Sequence, residues 1–326
     1  MEEGQGWRFK VVLSVRCFVK GVDEPVWVRI LNAAYKEYGS WWRGTTVEEM
    51  LELEKRPNFD FAGLFIAELD GKPVGVVRAH VDKLGNEKKG FIFDFCVIPE
   101  FRGRGVQEIL LDAALKELEE RGVNLIQTWT GIKRNDRVEL LERRGFTFAY
   151  RTIDMEIDLT DIPSDIGENA KVAIRPLRRD SEEDIETLNW LINECNKEDP
   201  LHRPKTVEET RQSLLNNQIL KEQEYFFAVL DRKNVGYIGV GIDEKYNVEN
   251  NVKSGRVHGI GVLKAYRRKR IGTRLMLQGL ETLRAKGMTK AMLDTEDINP
   301  TRAITMYEKV GFKVMQEYVT YEKHVA

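Results

Sequence analysis

Cysteine is scarce in this sequence and extended apolar runs are absent. Cys17, Cys96 and Cys195 are odd in number, widely separated and never arranged as CxxC, so neither a disulfide framework nor a zinc site is expected, and no metal is assigned. No apolar stretch approaches the ~20 residues that cross a bilayer, and the opening MEEGQGWRFK carries acids where an export signal would carry bases. A membrane partner is therefore not expected, and a reducing, cytoplasmic location is. An excess of positive charge is missing too. With 51 basic against 53 acidic residues the net charge is −2, which gives no chain-wide attraction for nucleic acid. No long polar tract argues for disorder.

What is present suffices for two folded domains. At 326 residues, 42% of them apolar and 9% aromatic, the chain exceeds the size at which one core usually stops growing. Its halves share an order of features. Each begins with a strand carrying an arginine, Arg16 or Arg175, followed by helix-like sequence and then TTVEEM (from Thr45) or KTVEET (from Lys205). Strand pairs follow, with DG and KN marking the hairpin turns. Then come VIPEFRGRGVQEILL and VLKAYRRKRIGTRLM, each between a strand and an amphipathic helix, and both halves close on a Gly-Phe pair. Val97 and Val262 are 165 apart and Gly145 and Gly311 are 166 apart, a near-constant offset. The expected fold class is α+β in two tandem copies, residues 1–158 and 172–326. Between them, at 159–171, Pro, Gly, Asp and Asn interrupt both periodicities and mark a linker.

A strand that turns straight into a helix leaves backbone N–H groups pointing outward at the positive end of the helix dipole, a ready anion site. Cations around it suit a phosphate. Both repeats have this arrangement, through Val97, Arg102, Gly103, Arg104, Gly105, Val106 and Gln107 in the first and Val262, Arg267, Arg268, Lys269, Arg270, Ile271, Gly272 and Thr273 in the second.

VIPEFRGRGVQEILL resembles the acetyl-CoA loop of the GNAT N-acetyltransferase superfamily, and VLKAYRRKRIGTRLM is similar but less faithful. The resemblance covers nearly the whole chain as two GNAT-like domains, an arrangement similar to the mycothiol synthase branch. It implies for each copy a mixed, largely antiparallel sheet with helices on both faces and a splayed central strand. That strand, through Ile260 and Val262, would pair with the pantetheine arm while the loop amides bind the pyrophosphate. The second loop departs from the pattern where Lys264 replaces proline and Arg270 the first glycine, and the first where Gln107 replaces the last small residue. Arg270 either crowds the pyrophosphate or adds charge beside it.

LDTEDINPTRAITMYEKVGFKV resembles the family's Asn, Ala, Tyr, Gly-Phe segment. Pro300 suits a first helical position, Ala303 and Tyr307 lie one turn apart, and Gly311 should stop the helix. The resemblance gives Asn299 to the pantetheine arm and Tyr307 to the leaving thiolate, as a neutral phenol able to donate. The first copy has Leu141 in place of Tyr307 and is two residues shorter between Asn135 and Gly145. It reads as the degenerate or regulatory copy and the second as the catalytic one. The alternatives are an active first copy using Gly105 and Asp94, or a protein that binds acyl-CoA without turnover.

The family's usual glutamate base has no counterpart, since Arg256 and Phe91 stand at its position. His258, which strand alternation puts on one face with Arg256, Ile260 and Val262, can titrate near neutrality. Glu296, on the neighbouring strand, is the other candidate. Asp94 is a base, an anchor or a paired structural carboxylate of the first copy. The expected activity is acetyl transfer from acetyl-CoA, with no metal, to a small-molecule or peptide amine by direct attack. The resemblance implies that the helical segments after each first strand frame the acceptor. Tyr35, Tyr38, Trp41 and Trp42 in the first copy are acceptor wall or domain-interface core, and Glu194, Glu198, Asp199 and His202 in the second suit a cationic amine or form a solvated helix face. The oligomeric state is left open.

Overall fold

TTVEEM and KTVEET begin helices by one device. Thr46 accepts from the amide of Glu49 while the Glu49 carboxylate accepts from the amide of Thr46, and Thr206 and Glu209 exchange the same pair of bonds. Such a box satisfies two otherwise orphaned N–H groups, which accounts for the motif in both repeats. The computed structural model describes residues 12–36, 43–55, 59–82, 88–163, 171–215, 217, 219–220 and 222–325.

The first unit runs β1 (Leu13–Cys17), α1 (Glu24–Tyr35), α2 (Val47–Glu54), β2 (Leu64–Leu69), β3 (Lys72–Val81), β4 (Lys89–Val97), α3 (Val106–Glu120), β5 (Leu125–Gly131), α4 (Asn135–Arg143) and into β6 (Thr147–Asp158). Strands β1 to β4 are antiparallel neighbours in chain order, and β5 joins β4 in parallel. Leu110, Ala114 and Leu118 of α3 are completely buried on one face of this sheet. Trp27, Ile30 and Leu31 of α1 pack on the other. Each such aliphatic side chain contributes roughly 1.5–3 kcal/mol of transfer free energy.

The second unit repeats the order as β7 (Ala173–Pro176), α5 (Glu182–Cys195), α6 (Val207–Leu215), β8 (Glu224–Leu230), β9 (Lys233–Gly241), α7 (Glu244–Asn250), β10 (Ser254–Val262), α8 (Ile271–Ala285), β11 (Lys290–Glu296), α9 (Ala303–Val310) and β12 (Lys313–His324). Its sheet runs β7-β8-β9-β10-β11-β6, antiparallel except for β10 against β11. Leu275, Met276, Leu280 and Leu283 of α8 fill one side and Leu188, Leu191 and Phe227 the other. Both units are thus mixed, largely antiparallel sheets with helices on both faces.

Three local details depart from the sequence reading. The β8–β9 hairpin turns on Asp231 and Arg232, both at positive φ, with Leu230 opposite Lys233. The turn lies two residues before Lys233-Asn234 and matches Asp70-Gly71 in the first unit. Helix α7, in polar sequence, was not anticipated. Compactness also divides the chain elsewhere than at 159–171, into Met1–Ala149 with Val319–Ala326 and Tyr150–Tyr318. Val319 and Tyr321 of β12 lie in the first unit's core, and Gln127 of β5 donates to Glu322 at 3.3 Å.

Candidate functional site

The site of the second unit begins where two strands part. β10 and β11 pair from Ser254–Lys290 to Arg256–Met292 and no further, although each strand continues. A bulge between Val257 and Gly259 coincides with the parting, and it breaks the alternation expected along RVHGIGV. His258 packs edge-on against Tyr225 on the α5 side, while Ile260 and Val262 pack with the core of α8. Along Ile260–Val262 the edge facing β11 is therefore open to a hydrogen-bonding ligand.

After β10 a turn of 3-10 helix, Lys264–Tyr266, leads into α8. Arg268 and Arg270 both sit in the left-handed region, at φ 63° and 59°, and Arg270 caps α8. The first unit has Gly103 and Gly105 there, at φ 71° and 79°. The two loops thus share one backbone shape, and the arginines hold it at a cost of about 1–2 kcal/mol each. A Cβ at Gly103 would meet nothing within 4 Å, and one at Gly105 only Leu13 at 3.5 Å, so side chains fit at these positions. Both arginines border a cavity of about 430 Å³ together with Ile271, Gly272 and Thr273.

Other cations of the run have structural partners. Arg267 donates to the carbonyls of Val262 (3.1 Å) and Cys195 (2.9 Å) and to Glu198 (2.8 Å), and Lys264 binds the other Glu198 oxygen at 2.5 Å. Arg102 likewise reaches the carbonyl of Val97 at 3.2 Å. These two arginines, read from sequence as cofactor ligands, tie the loop to its strand and first helix, and each also borders the cavity of its unit. Lys269 lies over the Tyr266 ring, 5.3 Å from its centroid, and is not part of the cavity wall.

Helix α9 starts at Ala303, three residues later than Pro300 led us to expect. The Asn299 side chain accepts from the Thr301 amide (3.0 Å) and hydroxyl (2.6 Å), closing a local turn, and Arg302 at φ 53° begins the helix. The helix ends at Gly311, φ 112°, as the sequence indicates. Tyr307 faces inward, 6% exposed, and burial, followed by Asp294 and Glu296, raises its phenol above the ordinary range. The side chain therefore stays protonated at neutral pH.

A second cavity of about 330 Å³ lies on the α5 side, bordered by Asp199, His202, His258, Asp294 and Glu296 among others. Asn196, Ile260, Asn299 and Tyr307 border both cavities. Burial, then Asp294, raises the Glu296 carboxyl above its usual range. Burial drives the His258 imidazole down to about 4, and its Nε2 is enclosed without a hydrogen-bond partner. That nitrogen is enclosed, and so lowered an imidazole accepts a proton less readily at neutral pH, which weighs against the base role read from sequence. Glu198 holds the loop, and Glu194 pairs with Lys197 at 3.6 Å, so neither borders this cavity. Tyr237, whose hydroxyl accepts from Asn196 at 3.3 Å, does border it and was missed from sequence.

The first unit has the strand parting and the loop but not the space. β4 and β5 separate after Ile92–Thr128, yet the corresponding cavity measures only about 10 Å³. It is bordered by Phe95, Cys96, Val97, Arg102, Gln107, Arg134 and Arg137; Gly103, Arg104, Gly105 and Val106 do not border it. Asp94 pairs with Arg78 at 3.2 Å, the structural alternative among its readings. Burial pushes the thiols of Cys96 and Cys195 up to about 12, which keeps them protonated at neutral pH. Tyr35 is buried and stacks on Trp129; Tyr38, Trp41 and Trp42 lie outside the described residues.

A strand parting beside a helix N-terminus, with a phenol between two cavities, makes an α+β domain with one built cleft. Comparison with known proteins gives it a family. The model of the acetyltransferase (GNAT) family matches residues 27–146 and 185–312, and the chain belongs to that family. It is 30% identical over 140 residues to a mycothiol acetyltransferase of Thermomonospora curvata, 41% of this chain and 44% of that protein. It is 33% identical over 90 residues to an uncharacterized N-acetyltransferase of Methanocaldococcus jannaschii, 27% of this chain and 40% of that one. The chain thus spans less than half the length of these curated relatives. Among solved structures it matches a GCN5-related N-acetyltransferase of Sphaerobacter thermophilus (TM-score 0.72, 17% identity, 96% and 95% of the two chains). It also matches a tandem GNAT protein from the clavulanic acid biosynthesis pathway (TM-score 0.72, 15% identity, 96% and 98%). The tandem GNAT fold therefore extends over nearly the whole chain. Among the described residues no helix is long and apolar enough to cross a membrane.

Proposed function

We propose that the second unit transfers an acetyl group from acetyl-CoA to a primary amine by direct attack. The observation that carries this reading is that Tyr307 borders both cavities. In the larger one, the first amides of α8 and the guanidinium groups of Arg268 and Arg270 receive the pyrophosphate. The pantetheine arm lies along the open edge of Ile260–Val262, held also by Asn299, and a backbone N–H of that edge stabilises the oxyanion. Tyr307 donates its proton to the departing thiolate.

The amine enters from the smaller cavity. Glu296, its carboxyl raised toward neutrality, takes the amine proton directly or through water, and Asp199 and Asp294 favour a polar, cationic acceptor. The acetyltransferase family and the mycothiol acetyltransferase relatives support acetyl transfer to an amine, and we leave the acceptor as a small molecule or a peptide.

Thiol release from acetyl-CoA over a panel of polar amines tests the proposal, alongside Tyr307→Phe. Loss of one proton donor should lower kcat about 10²-fold or more while the dissociation constant for coenzyme A stays within about threefold. No thiol release with any amine, or full turnover by the variant, overturns it.

A further inference from the structure

Arg137 does what no charged residue on a helix of sequence NDRVELLER announces. It is 4% exposed. Its Nη2 donates to the Phe95 carbonyl, its guanidinium carbon lies 4.2 Å from the Phe95 ring centroid, and its Nε is enclosed without a partner. A buried guanidinium is costly unless fully paired, so its burial against one carbonyl calls for a reason.

The repeat supplies one. β4 and β10 are both nine residues long and align with an offset of 165, so Phe95 corresponds to Ile260. Gly145 and Gly311 fix the last helices at an offset of 166, so Arg137 corresponds to Ala303. In the second unit Ile260 and Ala303 both border the cavity of about 430 Å³. In the first, the longer side chain crosses the equivalent space and leaves about 10 Å³. The Phe95 carbonyl belongs to the strand segment left beyond the β4–β5 parting at Ile92. Arg137 supplies the hydrogen bond that a ligand arm would otherwise make there.

At the mouth, Arg134 clasps Asp136 at 2.9 and 3.0 Å, and Arg134, then Gln107 more weakly, holds the Asp136 carboxyl below its ordinary range. This ties the start of α4 to the first turn of α3, at Gln107, which replaces the family's last small residue.

We propose that the acyl-CoA cleft of the first unit is a latent site occupied by the chain's own Arg137, so that each chain binds one acyl-CoA. The identity of the ligand rests on the donor reading of the second unit; the occlusion does not. Isothermal titration of acetyl-CoA into the full chain should give one equivalent for the wild type and none for Gly272→Glu, which places a carboxylate in the first turn of α8 at the cavity wall. Arg137→Ala should bind two and Arg137→Met, which refills the space, one. Turnover per chain should be unchanged in Arg137→Ala, because Leu141 stands where Tyr307 does.

Two equivalents in the wild type, or one retained by Gly272→Glu, overturn the proposal, as does a folded Arg137→Ala that gains no site. If Arg137→Ala does not fold, the wild-type and Gly272→Glu titrations decide. If the wild type binds none, the donor reading of the second unit fails, while Arg137→Ala should still gain one.

Discussion

Asp154 of β6 and Asp294 of β11 are directly opposite one another in register, two like charges on adjacent strands. Asp154 is 7% exposed, and burial, then Asp294, raises its carboxyl to about 7, with Arg256 opposing. Like charges so placed destabilise a sheet.

The pH dependence follows from linkage. Between the unfolded value of ~3.9 and about 7, the folded state holds a proton that the unfolded chain has released. Stability therefore falls as pH rises through that window, by on the order of 2–4 kcal/mol. Asp154→Asn should remove this slope, leaving the variant more stable than the wild type at pH 8 and similar at pH 4. Urea melts at the two pH values test it, and an equal difference at both would show that Asp154 does not titrate in this way.

Asp184 gives the opposite sign. Burial pushes its carboxyl up, but Arg178 and Arg175 more than offset this and hold it far below the ordinary range, with Arg175 at 2.9 and 3.1 Å. The contribution is complete above the unfolded value and is lost as pH falls through the depressed folded one. Asp184→Asn should cost on the order of 2–4 kcal/mol at pH 7, and the gap to wild type should narrow below about pH 4. A gap independent of pH would place the cost in packing.

Arg270→Gly separates charge from backbone. Glycine adopts the left-handed cap freely, so the melting temperature should rise, by the equivalent of about 1 kcal/mol. Affinity for coenzyme A should fall about tenfold and depend less on salt, because one phosphate partner is gone. Tighter binding by the variant would mean that the side chain crowds the pyrophosphate.

Glu296 should set the acidic limb of the rate profile. Its carboxyl, raised by burial and then by Asp294, must be ionised to accept a proton, so kcat/KM should drop as pH falls through a value above the ordinary glutamate range. Glu296→Gln should lower the rate about 10²-fold and abolish that limb. An unchanged limb in the variant would assign it to another group.

The loop and the Tyr307 helix were legible because each rests on local rules: a strand entering a helix, a Gly stop and a fixed offset between repeats. Arg137 was not. Spacing alone makes a charged helix face look solvated, and only the parting of β4 and β5 creates the space that the side chain fills. His258 faces away from Ile260 and Val262 because one extra residue in the bulge reverses the alternation. Glu198 looked like a ligand for the amine, yet it pairs with Arg267 across 69 residues of sequence, while Arg267 still borders the larger cavity.

One consequence concerns the order of synthesis. Val319 and Tyr321 belong to the core of the first unit, and Val319 follows Ala149 by 170 residues. At roughly 5–20 residues per second, the half made first waits on the order of 10–30 s for the strand that completes it. The half made second, Tyr150–Tyr318, is complete before that strand arrives.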